Sequence, residues 1–215
     1  RMKYYLLLSL LFISCQSNET KTTSVKPTEI SIEENNFLNV NTTLIEGSKS
    51  FDIDLKNSEI FWIGRKIFKS HNGFLKFIYG KIQIKDNTVL SGQFKVDMNS
   101  ITVDDIKKER SNRSLVNHLK NEDFFDVEKY PYAYLNIKSS EMKTDQEYLF
   151  IGDLTIKNIT NQIEFSGKIN RSNDKYNAVI KLSFDRTLWD IKYASGIGDK
   201  AILDDIELEV TINTN

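Results

Sequence analysis

Apolar or small residues recur at every second position in Ile78, Gly80, Ile82 and Ile84, while Tyr79, Lys81, Gln83 and Lys85 interleave on the other face. Period two is the signature of a strand with one buried face. The same alternation runs through Leu90, Gly92, Phe94, Val96, Met98, through Ala133, Leu135, Ile137, and through Tyr148, Phe150, Gly152, Leu154, Ile156. It continues in Ile163, Phe165, Gly167, Ile169, in Ala178, Ile180, Leu182, Phe184, and in Ile206, Leu208, Val210, Ile212. With Ser58 to Ile67, where Ile60 and Trp62 share a face, about eight strands are predicted. Turn-like separators stand at Asp86-Asn87, Thr144 to Gln146, Asn158 to Asn161 and Ser172 to Asp174. Short separators favour sequential antiparallel neighbours. Eight strands with one apolar face each are better closed into a barrel than left with bare edges, a two-sheet sandwich being the competing arrangement.

Asp104 to Lys120 breaks the rhythm. Ile106, Leu115, Val116 and Leu119 stand among charges, with Asp104 and Asp105 as N-cap candidates, so this stretch reads as a short helical insertion that caps a barrel mouth or covers a sheet face. The expected class is therefore all-β: an eight-stranded antiparallel barrel with one short helical insertion.

Composition narrows the function. Of 215 residues, 40% are hydrophobic, which is enough for one sizeable core. The 29 Lys and Arg nearly balance the 30 Asp and Glu, which disfavours a nucleic-acid partner. A single Cys excludes an internal disulfide, and with only two His no Cys/His metal site is expected.

The N-terminus reads as an export signal. Arg1 and Lys3 precede the apolar run Tyr4 to Ile13, too short to span a bilayer, and Phe12-Ile13-Ser14-Cys15 resembles the lipobox of bacterial lipoproteins, in which the Cys is acylated. An ordinary cleaved signal with a free Cys is the competing reading. The expected organisation is a lipoprotein signal peptide over 1–14, the lipidated Cys15 and a flexible Thr/Asn/Ser/Glu-rich tether over 15–50, and a barrel domain over 51–215. Both readings take the protein out of the cytoplasm. The lipobox makes it a cell-envelope lipoprotein, facing the periplasm or anchored in the outer membrane.

Little chemistry is visible in the sequence. His71, in the polar stretch Lys69 to Gly73, is either a donor to a ligand head group or a turn residue, and His118 reads as structural. Asp185-Arg186 is either an anion grip or a strand-end ion pair. The acidic pairs Asp104-Asp105, Glu122-Asp123 and Asp204-Asp205 lack calcium-loop spacing, and Ser139-Ser140 and Ser195-Gly196 lack a nucleophile-elbow context. No motif supports a reaction class, so the chain reads as a non-enzyme. Small residues on the predicted inner face (Gly80, Gly92, Ala133, Gly152, Gly167, Ala178) either leave room for a ligand or relieve bending.

Several motifs carry a resemblance. Phe51-Asp52-Ile53-Asp54, Asn57-Ser58-Glu59-Ile60, Gly73 with Gly80, the run Asn121 to Val127 before Tyr130-Pro131, Gly152-Asp153-Leu154-Thr155-Ile156-Lys157 and Asp185-Arg186-Thr187 resemble the YceI-like family in order and spacing over about 51 to 213. The ending from Asp190 to Val210 resembles the branch found in exported lipoproteins of Bacteroidetes-type bacteria. The resemblance implies a lipocalin-like barrel enclosing a long amphiphilic lipid, such as a polyisoprenoid, an isoprenoid quinone or a fatty-acid derivative, with no other cofactor. Under it, Ile60, Trp62, Ile78, Ile82, Phe94, Leu135, Phe150, Leu154, Phe165, Ile180, Phe184 and Leu208 become lipid-binding candidates of the interior. His71 and Arg186 become head-group candidates. Two departures stand out: Asn57-Ser58 where the family often has His-Ser, and a shortened stretch between Ser195 and Gly198. The alternative is a non-catalytic cell-envelope protein with a side-chain-filled barrel, whose outer residues Phe61, Ile63, Phe77 and Tyr79 meet a partner or a second copy.

Overall fold

A computed structural model describes residues 44–193 and 202–215. The signal segment 1–14, Cys15, the tether as far as residue 43 and the Ser195 to Gly198 stretch lie outside the described residues. The strands are β1 (Lys49–Asp52), β2 (Glu59–Lys66), β3 (Ser70–Lys85), β4 (Thr88–Asp97), β5 (Tyr132–Met142), β6 (Glu147–Ile156), β7 (Ile159–Ser172), β8 (Lys175–Asp185) and β9 (Ile202–Asn213), with one helix, α1 (Glu109–Lys120). Sheet order is β3-β2-β9-β8-β7-β6-β5-β4, all antiparallel, and β3 pairs back with β4. Strands β2 to β9 thus close an eight-stranded barrel with no open edge among them.

β1 is an additional strand. At sixteen residues, β3 outlasts its pairing with β2, and β1 continues the wall along the second half, Lys49 opposite Ile84 and Asp52 opposite Lys81. The wall therefore begins before residue 51, the expected start of the domain. The Ile45 N–H and the Ser48 hydroxyl both donate to Gln83 Oε1, at 2.8 and 3.2 Å.

Two tight turns have both central residues at positive φ, Asp86-Asn87 (48° and 65°) and Lys157-Asn158 (50° and 60°), the conformation that matches the twist of the flanking strands. The second lies earlier than the expected separator Asn158 to Asn161. β7 already starts at Ile159, and the Thr155 and Thr160 hydroxyls hydrogen-bond across the strand pair at 2.8 Å.

The inward alternation holds on most strands, but β3 changes phase. Phe77 pairs with Val96 and Tyr79 with Lys95, so Ile78 is an extra, bulged residue. Ile78 is 41% exposed, whereas Phe77 and Gly80 both face inward. A second irregularity against β4 buries Val89 in place of Leu90.

The helix is shorter than expected. Asp104 and Asp105 do not cap it; it starts at Glu109, and Lys108 at the N-cap position makes no side-chain capping bond. Residues 98–105 instead run beside the first half of β3 as a strap. The Thr102 N–H donates to the Phe74 carbonyl at 3.0 Å and the Asp104 N–H to the Asn72 carbonyl at 2.8 Å. Gly73 permits this approach: a Cβ there would stand 2.0 Å from the Thr102 carbonyl oxygen.

The outer face carries cross-strand ion pairs, Arg65 with Glu207 at 2.5 Å, Lys138 with Asp153 at 2.8 Å and Lys181 with Glu209 at 2.8 Å. Apolar inside and charged outside is the reverse of a barrel that spans a bilayer.

Candidate functional site

The barrel has two unlike halves. At the end where β1 joins, the interior is packed solid. Ile53 fills the notch at Gly80, where a Cβ would meet its Cδ1 at 2.4 Å. Phe150 stacks on Phe165 with centroids 5.2 Å apart, and the Phe51 and Tyr176 rings meet edge-on at 5.0 Å. The inner-face glycines do not open space: a Cβ at Gly167 would stand 2.7 Å from Ile180 Cγ1, and one at Gly152 2.9 Å from the Asn136 carbonyl. Neighbouring side chains, or at Gly152 a neighbouring backbone carbonyl, already occupy the room each glycine leaves.

Above the Phe150–Phe165 stack lies a cavity of ≈ 230 Å³. That is far more than the ~10–15 Å³ a single water needs. Ile60, Trp62, Phe94, Leu135, Leu154, Phe165, Ile180, Phe184 and Leu208 all line it. Three other interior candidates do not. Ile82 and Phe150 are buried in the packed floor, and the bulge turns Ile78 to the outer surface. Phe77, expected outside, lines the cavity. The outer aromatic pair of this region is Phe61 with Phe74, centroids 5.1 Å apart. Asn57, where the sequence departs from the family pattern, lies at the packed end, its amide bonded to Asp54, and does not line the cavity.

The other end is covered by α1 and the turn that follows it. On α1, Leu115 and Leu119 are four residues apart and so share one helical face, and both line the cavity. Beyond the helix, Phe124 is buried and stands 5.3 Å from Phe125, and both close the cavity from above. Among the described residues Tyr193, which follows the 3-10 turn after β8, completes the cover. Its ring meets His118 edge-on at 4.3 Å and Phe124 at 6.1 Å. Helix periodicity made the Leu115–Leu119 stripe legible; Tyr193 follows the last 3-10 turn with no local signal.

Charged and imidazole side chains are confined to this mouth. Arg65, Lys66, His71 and His118 border the cavity, so both histidines of the chain stand there. His71 Nδ1 is 2.8 Å from Asp105 Oδ2, while Asp105 Oδ1 accepts the Asn72 N–H at 3.0 Å. Burial pushes the Asp105 carboxyl up, but the Asn72 N–H and His71 together hold it below the ordinary aspartate value. The partner of His71 lies 34 residues away in sequence, which is why local reading missed it. Trp62 spends its indole N–H on the Thr102 carbonyl at 3.0 Å and presents only its ring.

Arg186, a head-group candidate from sequence, does not reach the cavity. Its side chain is 4% exposed; Nη1 donates to the Ile191 carbonyl at 2.5 Å and Nη2 to Asp204 at 2.9 Å, and the guanidinium lies 5.8 Å from the Phe124 ring. It ties the segment after β8 to the start of β9 beneath the cover, the strand-end ion pair. Among the described residues no cluster of His, Cys, Asp and Glu is arranged to hold a metal. The arrangement is suited to burying an apolar body while leaving a polar end at the mouth.

The family model described as YceI-like domain matches residues 51–214. The solved structure of BcnA from Burkholderia cenocepacia matches 76% of this chain and 100% of its own, with 16% identity and a TM-score of 0.66. A YceI protein from Campylobacter jejuni matches 94% of this chain and 99% of its own at 16% identity, with a TM-score of 0.49. At its identity the first likeness is one of fold. No curated protein matches the chain.

Proposed function

Because the chain belongs to the YceI-like family, we propose that it is a membrane-anchored binding protein that holds the tail of a long amphiphilic lipid in its barrel and keeps the head group at the mouth. The observation that carries this reading is the cavity: mostly apolar along its length, closed at one end by packed side chains, and bordered by charged or imidazole side chains only at Arg65, Lys66, His71 and His118. Ligands of the class are polyisoprenoids, isoprenoid quinones and fatty-acid derivatives. Energetics favour the longer ones. Ten buried methylenes contribute ~8 kcal/mol, which an association cost of ~4–15 kcal/mol largely offsets, so a short amphiphile would not be retained.

In this reading Cys15 carries the acyl anchor, the chain from Cys15 to residue 43 tethers the barrel, and the protein works in the cell envelope on the outer side of the cytoplasmic membrane. Several acyl chains on one residue hold where a single chain is marginal. The interior speaks against the filled-barrel alternative, since Phe77, one of its outer contact residues, is a cavity wall.

The test is mass spectrometry of organic extracts of the mature protein purified from its own host. The expected result is a near-stoichiometric amphiphile with a long tail. Extracts without lipid, from protein shown to be folded, would overturn the proposal.

A further inference from the structure

Five hairpin connections join consecutive strands of the barrel, and four of them carry ordinary turn chemistry. Their tips are Asp86-Asn87, Lys143 to Gln146, Lys157-Asn158 and Asn173-Asp174, polar residues suited to water and to positive φ. The fifth, between β2 and β3, is Ile67-Phe68-Lys69, with the Lys66 N–H donating to the Lys69 carbonyl at 2.6 Å. Phe68 is 75% exposed, the most exposed large apolar side chain among the described residues, and Ile67 is 50% exposed. Isolated exposed apolar residues need no explanation, but this pair has company. Leu188 in the turn after β8 is 58% exposed and Leu203 at the start of β9 is 43% exposed. The pairing of Lys66 with Ile202 sets Leu203 beside the tip, and that of Asp185 with Asp205 puts the turn bearing Leu188 at the same end.

This end is the mouth. Arg65, Lys66 and Ile202, the residues at the base of the tip, border the cavity itself. Lys66 and Lys69 flank the apolar pair, and among the described residues neither is held in an ion pair. Of the acids at this end, Glu207, Asp204, Asp190 and Asp105 are each paired, with Arg65, Arg186, Lys192 and His71, while Asp104 and Asp185 accept the Thr102 and Thr187 hydroxyls. Asp205 stands three residues back along β9, about 10 Å from the rim.

We infer that the β2–β3 tip, with Leu188 and Leu203, is a docking surface for an anionic lipid bilayer, which seats the cavity mouth on the membrane. Two apolar side chains at a hairpin tip enter the headgroup region, and the flanking lysines meet the negative surface potential. Contact is limited to the rim, because the charged outer wall below it stays in water. This deepens the binding reading above, since a tail leaving a bilayer would pass from the lipid directly into the mouth.

The test reads the position of the tip, so it is independent of any anchorage at Cys15. Phe68→Trp and, at the opposite end of the barrel, Met142→Trp are made in the full chain and mixed with vesicles of equal phosphatidylcholine and phosphatidylglycerol brominated in the acyl chains. The native indoles Trp62 and Trp189 are buried, 7% and 0% exposed, and the unsubstituted chain supplies their background. Quenching well above background is expected for F68W and not for M142W. Adding Lys66→Glu and Lys69→Glu to F68W should weaken the apparent vesicle affinity about tenfold, and high salt should act in the same direction. Equal quenching at the two positions would overturn the docking surface, and undiminished quenching after the double charge reversal would overturn the choice of an anionic bilayer. Quenching of F68W in a protein whose extracts hold no lipid would leave the docking surface standing and remove the binding reading; lipid-loaded protein without quenching would do the reverse.

Discussion

His71 and Asp105 meet at 2.8 Å on the rim of the cavity mouth, one at the start of β3 and the other at the end of the strap that leads into α1. The other Asp105 oxygen takes the Asn72 N–H, so one carboxylate fixes both a side chain and the backbone of β3. It completes a series of bonds from the strap to β3, in which the Thr102 hydroxyl accepts the Phe74 N–H at 2.9 Å and the Ser100 hydroxyl the Lys76 N–H at 2.8 Å. The cover over the cavity is thereby anchored on its N-terminal side.

This anchoring has a pH dependence of definite sign. The Asp105 carboxyl is depressed below its ordinary value near 3.8, so its contribution is complete above that pH and is lost as pH falls through the folded value. Asp105→Asn should cost about 1 kcal/mol near neutrality, the net worth of a partly exposed hydrogen-bonded group. Urea melts of the two proteins between pH 7 and pH 3 check this: the gap should stay constant to about pH 4 and shrink below it. A gap that widens in acid would contradict the assignment.

Phe124 should be the sensitive member of the pair that seals the cavity. It is 5% exposed and its ring meets His118, Phe125 and Tyr193, whereas Phe125 is only partly buried. Phe124→Ala is expected to cost ~3–5 kcal/mol, and Phe125→Ala clearly less. Denaturant midpoints of both single variants decide it; two near-neutral changes would show that the motif is not a plug.

Where the sequence was legible, one local rule governed the outcome. Ile206, Leu208, Val210 and Ile212 alternate and all are inside, because a period-two face is buried whole once register is set. Ile78 shows the limit. The apolar identities at 77, 78 and 82 do not reveal that the strand inserts an extra residue between them, and one bulge moved Phe77 in and Ile78 out. The glycines misled for a related reason: the space beside Gly80 is real, but Ile53, a residue of the entering chain, occupies it. The mouth was the least legible part. Asp105 looked like a helix cap because caps are local, while its actual partners, His71 and Asn72, are brought to it by the barrel's closure.

Cys15 is expected to be the attachment point, and the barrel wall itself should not insert. Cys15→Ala should turn a membrane-associated protein into a soluble or unprocessed form without altering the folding of residues 51 to 213. Fractionation in high salt, which weakens surface electrostatics, is the measurement. Processed Cys15→Ala protein that still sediments with membranes under those conditions would remove the tether.

The decisive substitution for the interior is Leu154→Trp. Leu154 lies on β6 where the wall borders the cavity, and its carbonyl accepts the Trp189 indole N–H at 3.1 Å, so the backbone there is held and the new ring must project inward. With open volume in front of it, the ring should occupy ligand space, and copurified lipid should fall sharply while the urea midpoint moves little. In a close-packed interior the same ring would force strain of ~1–3 kcal/mol, and stability would drop with no lipid to lose. Lys157, on the neighbouring hairpin, is unsuitable as an outward control because its φ of 50° would strain a tryptophan. Glu164→Trp serves better: it is exposed on β7 next to the inward Phe165, and it should change neither lipid content nor midpoint. A lower midpoint for Leu154→Trp, in a background whose unsubstituted protein carries no lipid, would show that the cavity is not a ligand site.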